Sequence, residues 1–580
     1  MKNEQDGAPL SGAENRNDIR LGAATALSYP ANISWSDPFE IVPVPALLDR
    51  SVARYGARPC LDFLDRKFTY EEVGQLVDRA ARGLQNLGLG KGDRVGLFLP
   101  NCPYAVIMLF AVLKAGGIVV NFNPLYAPRE VRHQIEDSVV RFMVTLDLPA
   151  LYCKLAPMLD GTALEKIILC PMQGVLPFPQ SMLYPLLRRA DIVKIPADGR
   201  HVTFEALTAD RAAPAPVECD PVQDVALLQY TGGTTGVPKG AMLSHRNIVV
   251  NCQQCLRWFP EARLGREKVL AVLPFFHVFA LTVAEMLSIL GGFEIILLPR
   301  FELKQVLKTI ERKRPTMFPG VPTIYTAINS SPGIGRRDLS SIKYCLSGGA
   351  PLPLEVKTEF ERLTGCHLAE GYGLSETSPV ATANPLDAAG KPGSIGLPVP
   401  GTEIEIASLE RPDETLPPGE RGEVCVRGPQ VMLGYWRQPD ATAAILTDGR
   451  LRTGDVGYID EDGYVFLVDR IKDLIIAGGY NVYPRNVEEA IYAHPAIAEC
   501  VVIGLPDPYR GQTVKAYVTL RAGMILDEAM LRTFLEERLS PMEMPKLIEF
   551  RDALPKTAIG KLSKKALLDE EAAKTAAAAA

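Results

Sequence analysis

The sequence predicts an α/β protein of two domains, a large N-terminal one built of interleaved helices and sheets and a small α+β one at the C-terminal end. Three observations predict it. The chain has 580 residues, too many for a single hydrophobic core. From about Pro45 onward, segments with apolar residues at helical spacing alternate with short apolar runs, the pattern of helices connecting largely parallel strands. Near Asp469-Arg470-Ile471-Lys472-Asp473 the strand-like YVFLVD gives way to a new helix-then-strand pattern, NVEEAIYAHPAIAECVVIGLPD, and roughly 110 residues remain, the size of one small domain.

Taken in order, the opening MKNEQDGAPLSGAENRND is polar and lacks the basic and apolar regions of an export signal. A disordered tail is expected over residues 1–35. Glu71–Gly88 (EEVGQLVDRAARGLQNLG) reads as a helix with a glycine stop, Asp93–Pro100 (DRVGLFLP) as a buried strand, and Gly116–Pro124 (GGIVVNFNP) as another. The apolar run from Tyr104 is broken by Lys114 and Gly116-Gly117. It falls short of the ~18 apolar residues of a spanning helix, so it reads as a buried helix, a turn and a buried strand. Ala209–Asp224 is a Pro-rich connector into the strand-like VALLQY, and Ala576–Ala580 reads as a fraying helix or tail. The expected divisions are 36–468 for the large domain, 469–471 for the boundary before a hinge, 472–570 for the small domain and 571–580 for a tail. No repeat at solenoid periods is visible.

Apolar residues make up 47% of the chain and charged ones 22%, as in ordinary globular proteins. The formal charge of −6 argues against nucleic acid as a partner. Eleven scattered cysteines suit free thiols in a reducing cytoplasm. Cys252 and Cys255, at C-x-x-C spacing without a second pair, read as helix packing.

The strongest local signal is Tyr230-Thr-Gly-Gly-Thr-Thr-Gly-Val-Pro-Lys239-Gly240, between LLQY and AMLSHRNIVVN. Gly232, Gly233 and Gly236 let backbone N–H groups approach an anion. The hydroxyls of Thr231, Thr234 and Thr235 add donors, and Lys239 adds charge. This chemistry suits a polyphosphate. It is not a Walker A loop, because Pro238 precedes the lysine and no G-K-[ST] follows the expected spacer. Glu376, in a Gly-Tyr-Gly-Leu-Ser-Glu turn, could stand beside a triphosphate only through a cation, and a hard oxygen ligand selects Mg²⁺. Asp455, after Arg-Thr-Gly, can accept two hydrogen bonds from a ribose diol. His277, within Phe275-Phe276-His277-Val278-Phe279, reads as readily as a satisfied core residue as it does a ligand. Near the C-terminal end Lys561 follows a Pro-Lys-Thr turn on a loop able to reach across a cleft, whereas Lys564 and Lys565 read as a solvated helix face.

Together these motifs resemble those of the ANL superfamily of adenylate-forming enzymes. LPFFHVFAL (Leu273–Leu281), SGGAPLP (Ser347–Pro353), EGYGLSET (Glu370–Thr377), RTGD (Arg452–Asp455), DRIKDLIIAGGYNVYP (Asp469–Pro484) and PKTAIGK (Pro555–Lys561) follow the phosphate loop in that superfamily's order. The resemblance runs from about Pro38 to Leu568. It implies an ATP site of Thr231–Gly236, Lys239, Gly349-Ala350-Pro351, Glu370-Gly371-Tyr372-Gly373, Ser375, Asp455 and Arg470, with Tyr372 stacked on adenine and Glu376 as the metal ligand. It also implies His277 as a gate beside the substrate carboxylate, Lys561 as the lysine bridging carboxylate and α-phosphate, and Lys472 as the hinge of a mobile lid. Gly478, Gly479 and Tyr480 would border the passage for coenzyme A.

NFNPLYAPRE (Asn121–Glu130) and the phosphate loop, with Gly232 where Ser is more usual, resemble bacterial long-chain fatty acid–CoA ligases. ATP, Mg²⁺, a fatty acid and coenzyme A are the implied cofactor and substrates. A medium-chain or aryl acid–CoA ligase, an acyl-AMP ligase loading a carrier protein, and a fatty-acid sensor on a dead scaffold stay open. No carrier domain is expected after Lys561, and Glu376 and Lys561, whose loss would mark a dead scaffold, are present. Val175–Pro196 mixes large apolar residues with Arg188-Arg189; it reads as a helix packed on its own domain or resting on a membrane surface. A cytoplasmic protein, with the inner face of the cell membrane as a peripheral contact, is the expected setting. Oligomeric state is not legible, a homodimer being one arrangement open to the chain.

Overall fold

The computed structural model describes residues 25, 28–231, 238–386, 390–477, 480–507, 511–557 and 562–579. Its central element is an eight-stranded sheet in the order Gly434–Tyr435, Lys239–Ser244, Val225–Thr231, Ile118–Asn121, Arg94–Phe98, Phe142–Leu146, Lys166–Cys170, His201–Thr203. The last six are mutually parallel, and Lys239–Ser244 turns back antiparallel on Val225–Thr231. A second sheet runs Arg66–Thr69, Pro59–Phe63, Glu294–Leu297, Lys268–Ala271. It continues through single-residue bridges at Met317 to the parallel pair Tyr344–Ser347 and His367–Gly373.

Parallel strands need cover on both faces, and the helices between the sheets supply it. Helix Pro103–Lys114 buries eleven of its twelve residues, so its sequence is apolar all round rather than striped. Helix His245–Arg257 starts at a capping box, in which Ser244 Oγ accepts the Asn247 N–H and Asn247 Oδ1 accepts the Ser244 N–H. It carries Cys252 and Cys255 inward as packed, free thiols. An antiparallel sheet of Glu403–Ala407, Gly422–Arg427, Arg450–Ile459, Leu446–Thr447 and Val465–Arg470 completes the large unit. One contiguous apolar core runs through it from Ile33 to Val465. A separate core, from Ile475 to Phe550, belongs to the C-terminal sheet of Ile475–Ala477, Tyr480–Val482, Gly511–Leu520, Ile497–Asp507 and Leu547–Phe550.

Two expectations change. The end of the expected disordered tail is packed: Tyr29 Oη donates to Pro398 O at 3.1 Å, Trp35 Nε1 to Thr402 O at 3.1 Å, and the Tyr29 and Trp258 rings meet edge to face at 5.6 Å. Aromatic groups with a polar tip anchor a segment whose composition is otherwise that of a loop. The Val175–Pro196 segment does form a helix, Gln180–Leu187, but no residue of it is buried, and Phe178, Leu186 and Leu187 are 80, 75 and 75% exposed. Among the described residues no helix is long and apolar enough to cross a membrane.

Candidate active site

The carboxyl ends of parallel strands are where α/β sheets bind ligands, and here the sequence motifs converge on such ends. Strand Val225–Thr231 delivers Thr231, and Lys239 opens the returning strand directly opposite it. Gly232, Gly233, Thr234, Thr235 and Gly236, between them, lie outside the described residues. The short strand Gly434–Tyr435 pairs with Lys239–Ser244 and brings Tyr435 into place. Lys239 Nζ stands 4.9 Å from the Tyr435 ring centroid, and Tyr435 Oη donates to Glu376 Oε1 at 2.6 Å. Burial, and after it the Glu376 charge, holds the Tyr435 hydroxyl well above its ordinary pKa, so it stays a donor. Glu376 itself is 9% exposed, and its backbone carbonyl accepts the Met432 N–H at 2.8 Å. The lysine and the glutamate of two distant motifs thus share one tyrosine that sequence reading missed. Tyr435 sits in a two-residue strand, too short for any periodic signal.

The second cluster lies at the ends of strands Tyr344–Ser347 and His367–Gly373. Gly349, with φ +80, turns the chain into Ala350 and Pro351, a backbone that L side chains avoid. Gly373 must be glycine for another reason: a Cβ there would stand 1.7 Å from the Pro379 carbonyl oxygen. Gly371 is less constrained, its Cβ position meeting Leu346 Cδ1 at 3.1 Å. Glu370 accepts the Leu352 N–H at 3.2 Å. Burial pushes its carboxyl up to about 7, against the opposing charge of Arg485 from the C-terminal unit. Tyr372 Oη donates to Asp455 Oδ2 at 2.6 Å, and Arg470 Nε meets Asp455 Oδ1 at 2.9 Å. Asp455, 3% exposed, is therefore already oriented by two donors, one per oxygen, and a carboxylate has lone pairs to spare for a diol. The Asp455 charge in turn raises the Arg470 guanidinium. Ser375 and Glu376 share the tight turn Ser375–Thr377.

His277, half-buried, caps the turn Val278–Ala280, its ring 4.7 Å from that of Phe276. The segment is tied to the phosphate hairpin, because Gln229 Nε2 donates to Phe276 O at 2.9 Å. Phe279 packs on Gly348, whose Cβ position lies 3.1 Å from its ring. Behind it, Glu285 is fully buried in the π-helical turn Leu281–Met286, and its Oε1 has no hydrogen-bond partner among the described residues. Burial pushes this carboxyl up to about 8. It shares a cavity of about 10 Å³ with Asn121, Phe275 and Phe276.

On the C-terminal side, Lys472 sits half-buried in the turn Ile471–Asp473, its ammonium depressed by burial and by Arg470. Gly478, Gly479 and Lys561 lie outside the described residues, while Tyr480 starts the strand paired with Ile475–Ala477. Among the described residues on either side of Lys561, Lys556 bridges Leu562, and the Ser563 N–H donates to Pro555 O at 2.9 Å. One sequence reading is corrected here. Lys564 is no solvated face: its side chain is 24% exposed and stands 3.4 Å from Glu488 and 4.0 Å from Asp473. Polar neighbours in sequence concealed a lysine that folds back on acids about 75 and 90 positions away.

Among the described residues no group of three or more His, Cys, Asp and Glu could hold a metal ion. The donor set at Glu376 is a single carboxylate beside a loop suited to phosphate, which fits Mg²⁺, an ion bound by one or two carboxylates with substrate phosphates and water.

Comparison with known proteins agrees with this architecture. Residues 48–436 match the family described as AMP-binding enzyme, and residues 486–561 its C-terminal domain. The chain belongs to this adenylate-forming family. It is 47% identical over 547 residues to a long-chain-fatty-acid–CoA ligase of Bacillus subtilis (strain 168), covering 94% of this chain and 97% of that one. It is 38% identical to a protein of the same name from Escherichia coli O157:H7, covering 93% and 97%. The crystal structure of ATP-bound MatB from Rhodopseudomonas palustris superposes with a TM-score of 0.80 at 30% identity, covering 91% of this chain and 99% of that one.

Proposed function

We propose that this chain is a long-chain fatty acid–CoA ligase, converting ATP, a fatty acid and coenzyme A to acyl-CoA, AMP and diphosphate through an acyl-adenylate. The observation that carries the reading is the meeting of Lys239, Tyr435 and Glu376 beside Tyr372, Asp455 and Arg470. One cluster offers positive charge and a metal ligand for a triphosphate, the other a buried carboxylate for ribose. The names of the close relatives point to the same substrates.

In this reading, Thr231–Gly236 and Lys239 cradle the β- and γ-phosphates, and Tyr372 covers adenine between Gly349-Ala350-Pro351 and Glu370–Gly373. Asp455 holds the ribose hydroxyls, while Arg470 orients that carboxylate and faces the α-phosphate side. Glu376, oriented by Tyr435, would hold Mg²⁺, which neutralises charge on the departing pyrophosphate. His277 borders the acid. Lys561 bridges the incoming carboxylate and the α-phosphate, where negative charge spreads in the transition state, so positioning and electrostatics supply most of the rate. The thiol of coenzyme A then attacks the acyl carbon and AMP leaves. That step needs Lys561 withdrawn, and a turn about Lys472 would bring Gly478, Gly479 and Tyr480 to the thiol's path. We place the protein in the cytoplasm with the helix Gln180–Leu187 resting on the inner membrane face, where fatty acids partition.

Pyrophosphate release measured with palmitate, octanoate, acetate and aromatic acids, each with and without coenzyme A, tests the reading. Palmitate with CoA should be fastest. A preference for octanoate or an aromatic acid would move the substrate class. Acyl-AMP that accumulates regardless of CoA would make the chain a carrier-protein loader, and no release with any acid would make it a binding scaffold.

A further inference from the structure

We propose that Lys564 is the positioning residue of the C-terminal unit, tying the hinge to the start of the helix that follows Lys561. Three acidic side chains from three elements of the chain meet around it. Asp469 lies on strand Val465–Arg470, paired through Val456 with the antiparallel sheet of the large unit. Asp473 ends the hinge turn, Glu488 stands in helix Pro484–Tyr492, and Lys564 is the first residue of helix Lys564–Ala579. Lys564 Nζ lies 3.4 Å from Glu488 Oε1 and 4.0 Å from Asp473 Oδ2, with side-chain exposures of 24, 19 and 24%.

Two of the acids are themselves held. Glu488 Oε1 accepts the Val502 N–H at 2.9 Å, and Asp469 Oδ2 accepts the Arg485 N–H at 2.7 Å. One ammonium thus faces three carboxylates, two of them fixed by backbone N–H groups. Burial works against the Lys564 charge, but Glu488, Asp469 and Asp473 outweigh it and hold the ammonium above its usual range. Such a charge cluster is costly to break on one side only.

Its place in the chain gives the cluster a consequence. Lys564 follows Lys561 by three residues, and Ser563 between them caps the helix, its Oγ accepting the Ala566 N–H at 3.3 Å. The same residue donates its own N–H to Pro555 O. Asp469 belongs to the large unit and the other three groups to the small one, so any turn about Lys472 must change the distance between Lys564 and Asp469. Lys564 therefore favours one orientation and fixes within it the start of the helix that follows Lys561 by three residues. This rests on the proposed roles of Lys561 and Lys472.

The test compares wild-type protein with Lys564→Met, Lys564→Arg and, as a control on the underlying reading, Lys561→Ala. Two half-reactions are timed separately: acyl-AMP formation from palmitate and ATP, and thioester formation from supplied acyl-AMP and CoA. Lys564→Met should slow adenylation by about tenfold or more and thioester formation by less than about twofold, with Lys564→Arg restoring most of the loss. The contact between Arg521 Nη2 and Glu355 Oε2 across the two units, 3.0 Å, gives a second readout. Cysteines placed at these positions should be bridged more slowly by a short bis-maleimide in the Lys564→Met background. Should Lys564→Met not fold, Lys564→Met/Glu488→Gln removes both charges and should show the same split; failure of both variants to fold would make Lys564 a purely structural residue and overturn the proposal. Equal loss in both half-reactions, or none in either, overturns it as well. If Lys561→Ala fails to separate the two steps, the reading beneath it falls; if that control separates them and Lys564→Met does not, only the positioning role falls.

Discussion

Replacing Glu285 by Gln should stabilise the protein, and by more the higher the pH. The carboxyl is fully buried with one oxygen unpartnered among the described residues. The titratable groups that face it are the buried thiols of Cys60, Cys102 and Cys252; none of these supplies a positive charge. Burial raises its pKa from 4.5 to about 8. A carboxyl raised on folding is neutral in the native state over a range where the unfolded chain has already lost the proton, so unfolding is favoured across that range. The cost is absent below about pH 4.5, grows by about 1.4 kcal/mol per pH unit, and levels off near pH 8 at about 5 kcal/mol. Glutamine keeps the shape and one donor group without the ionisation. Melting temperatures of wild-type and Glu285→Gln protein, taken from pH 5.5 to 9, should diverge as pH rises, the variant being the more stable, with the gap constant above about pH 8. A gap that does not depend on pH, or a variant less stable at every pH, would show instead that the carboxyl is solvated or paired in the native state.

Three other outcomes follow from the site and the surface. Tyr435→Phe deletes the hydrogen bond to Glu376 and should lower kcat/KM for MgATP by roughly ten- to a hundredfold, with a fall of only a few degrees in the melting temperature; an unchanged kcat/KM would remove Tyr435 from the site. Gly373→Ala would press a methyl group into the Pro379 carbonyl, so the strand ends must part, and stability should fall by about 3 kcal/mol or more, read as a lowered melting temperature. At low salt the wild-type protein should float with vesicles containing anionic lipid, and a Phe178→Ser/Leu186→Ser/Leu187→Ser variant should remain in solution. A wild-type protein that stays at the bottom of the gradient would disprove the membrane contact.

Much of the fold was legible because long periodic segments carry their own signal. The helix read at Glu71–Gly88 forms over Tyr70–Asn86, and the strand read at Asp93–Pro100 over Arg94–Phe98. The motifs were legible for a different reason: glycine, threonine, lysine and acids at fixed spacing have few structural uses besides binding phosphate and ribose. What escaped is what depends on partners far away in the chain. Tyr435 gains its meaning from Glu376 and Lys239, each well over 50 positions distant. Glu285 looks like one polar residue in an apolar run until its full burial in the π-helical turn is seen, and Lys564 looks solvated until Glu488 and Asp473 close on it. Tyr29 and Trp35 likewise look like parts of a tail, since the carbonyls of Pro398 and Thr402 that receive them lie more than 360 positions further on.

If a carboxylate oxygen attacks the α-phosphorus of ATP at this site, that oxygen leaves with AMP, and its fate can be followed. Palmitate labelled with ¹⁸O in its carboxylate, turned over with ATP, Mg²⁺ and coenzyme A, should leave one labelled oxygen in AMP and none in pyrophosphate. Label absent from AMP, or label appearing in pyrophosphate or phosphate, would contradict the account.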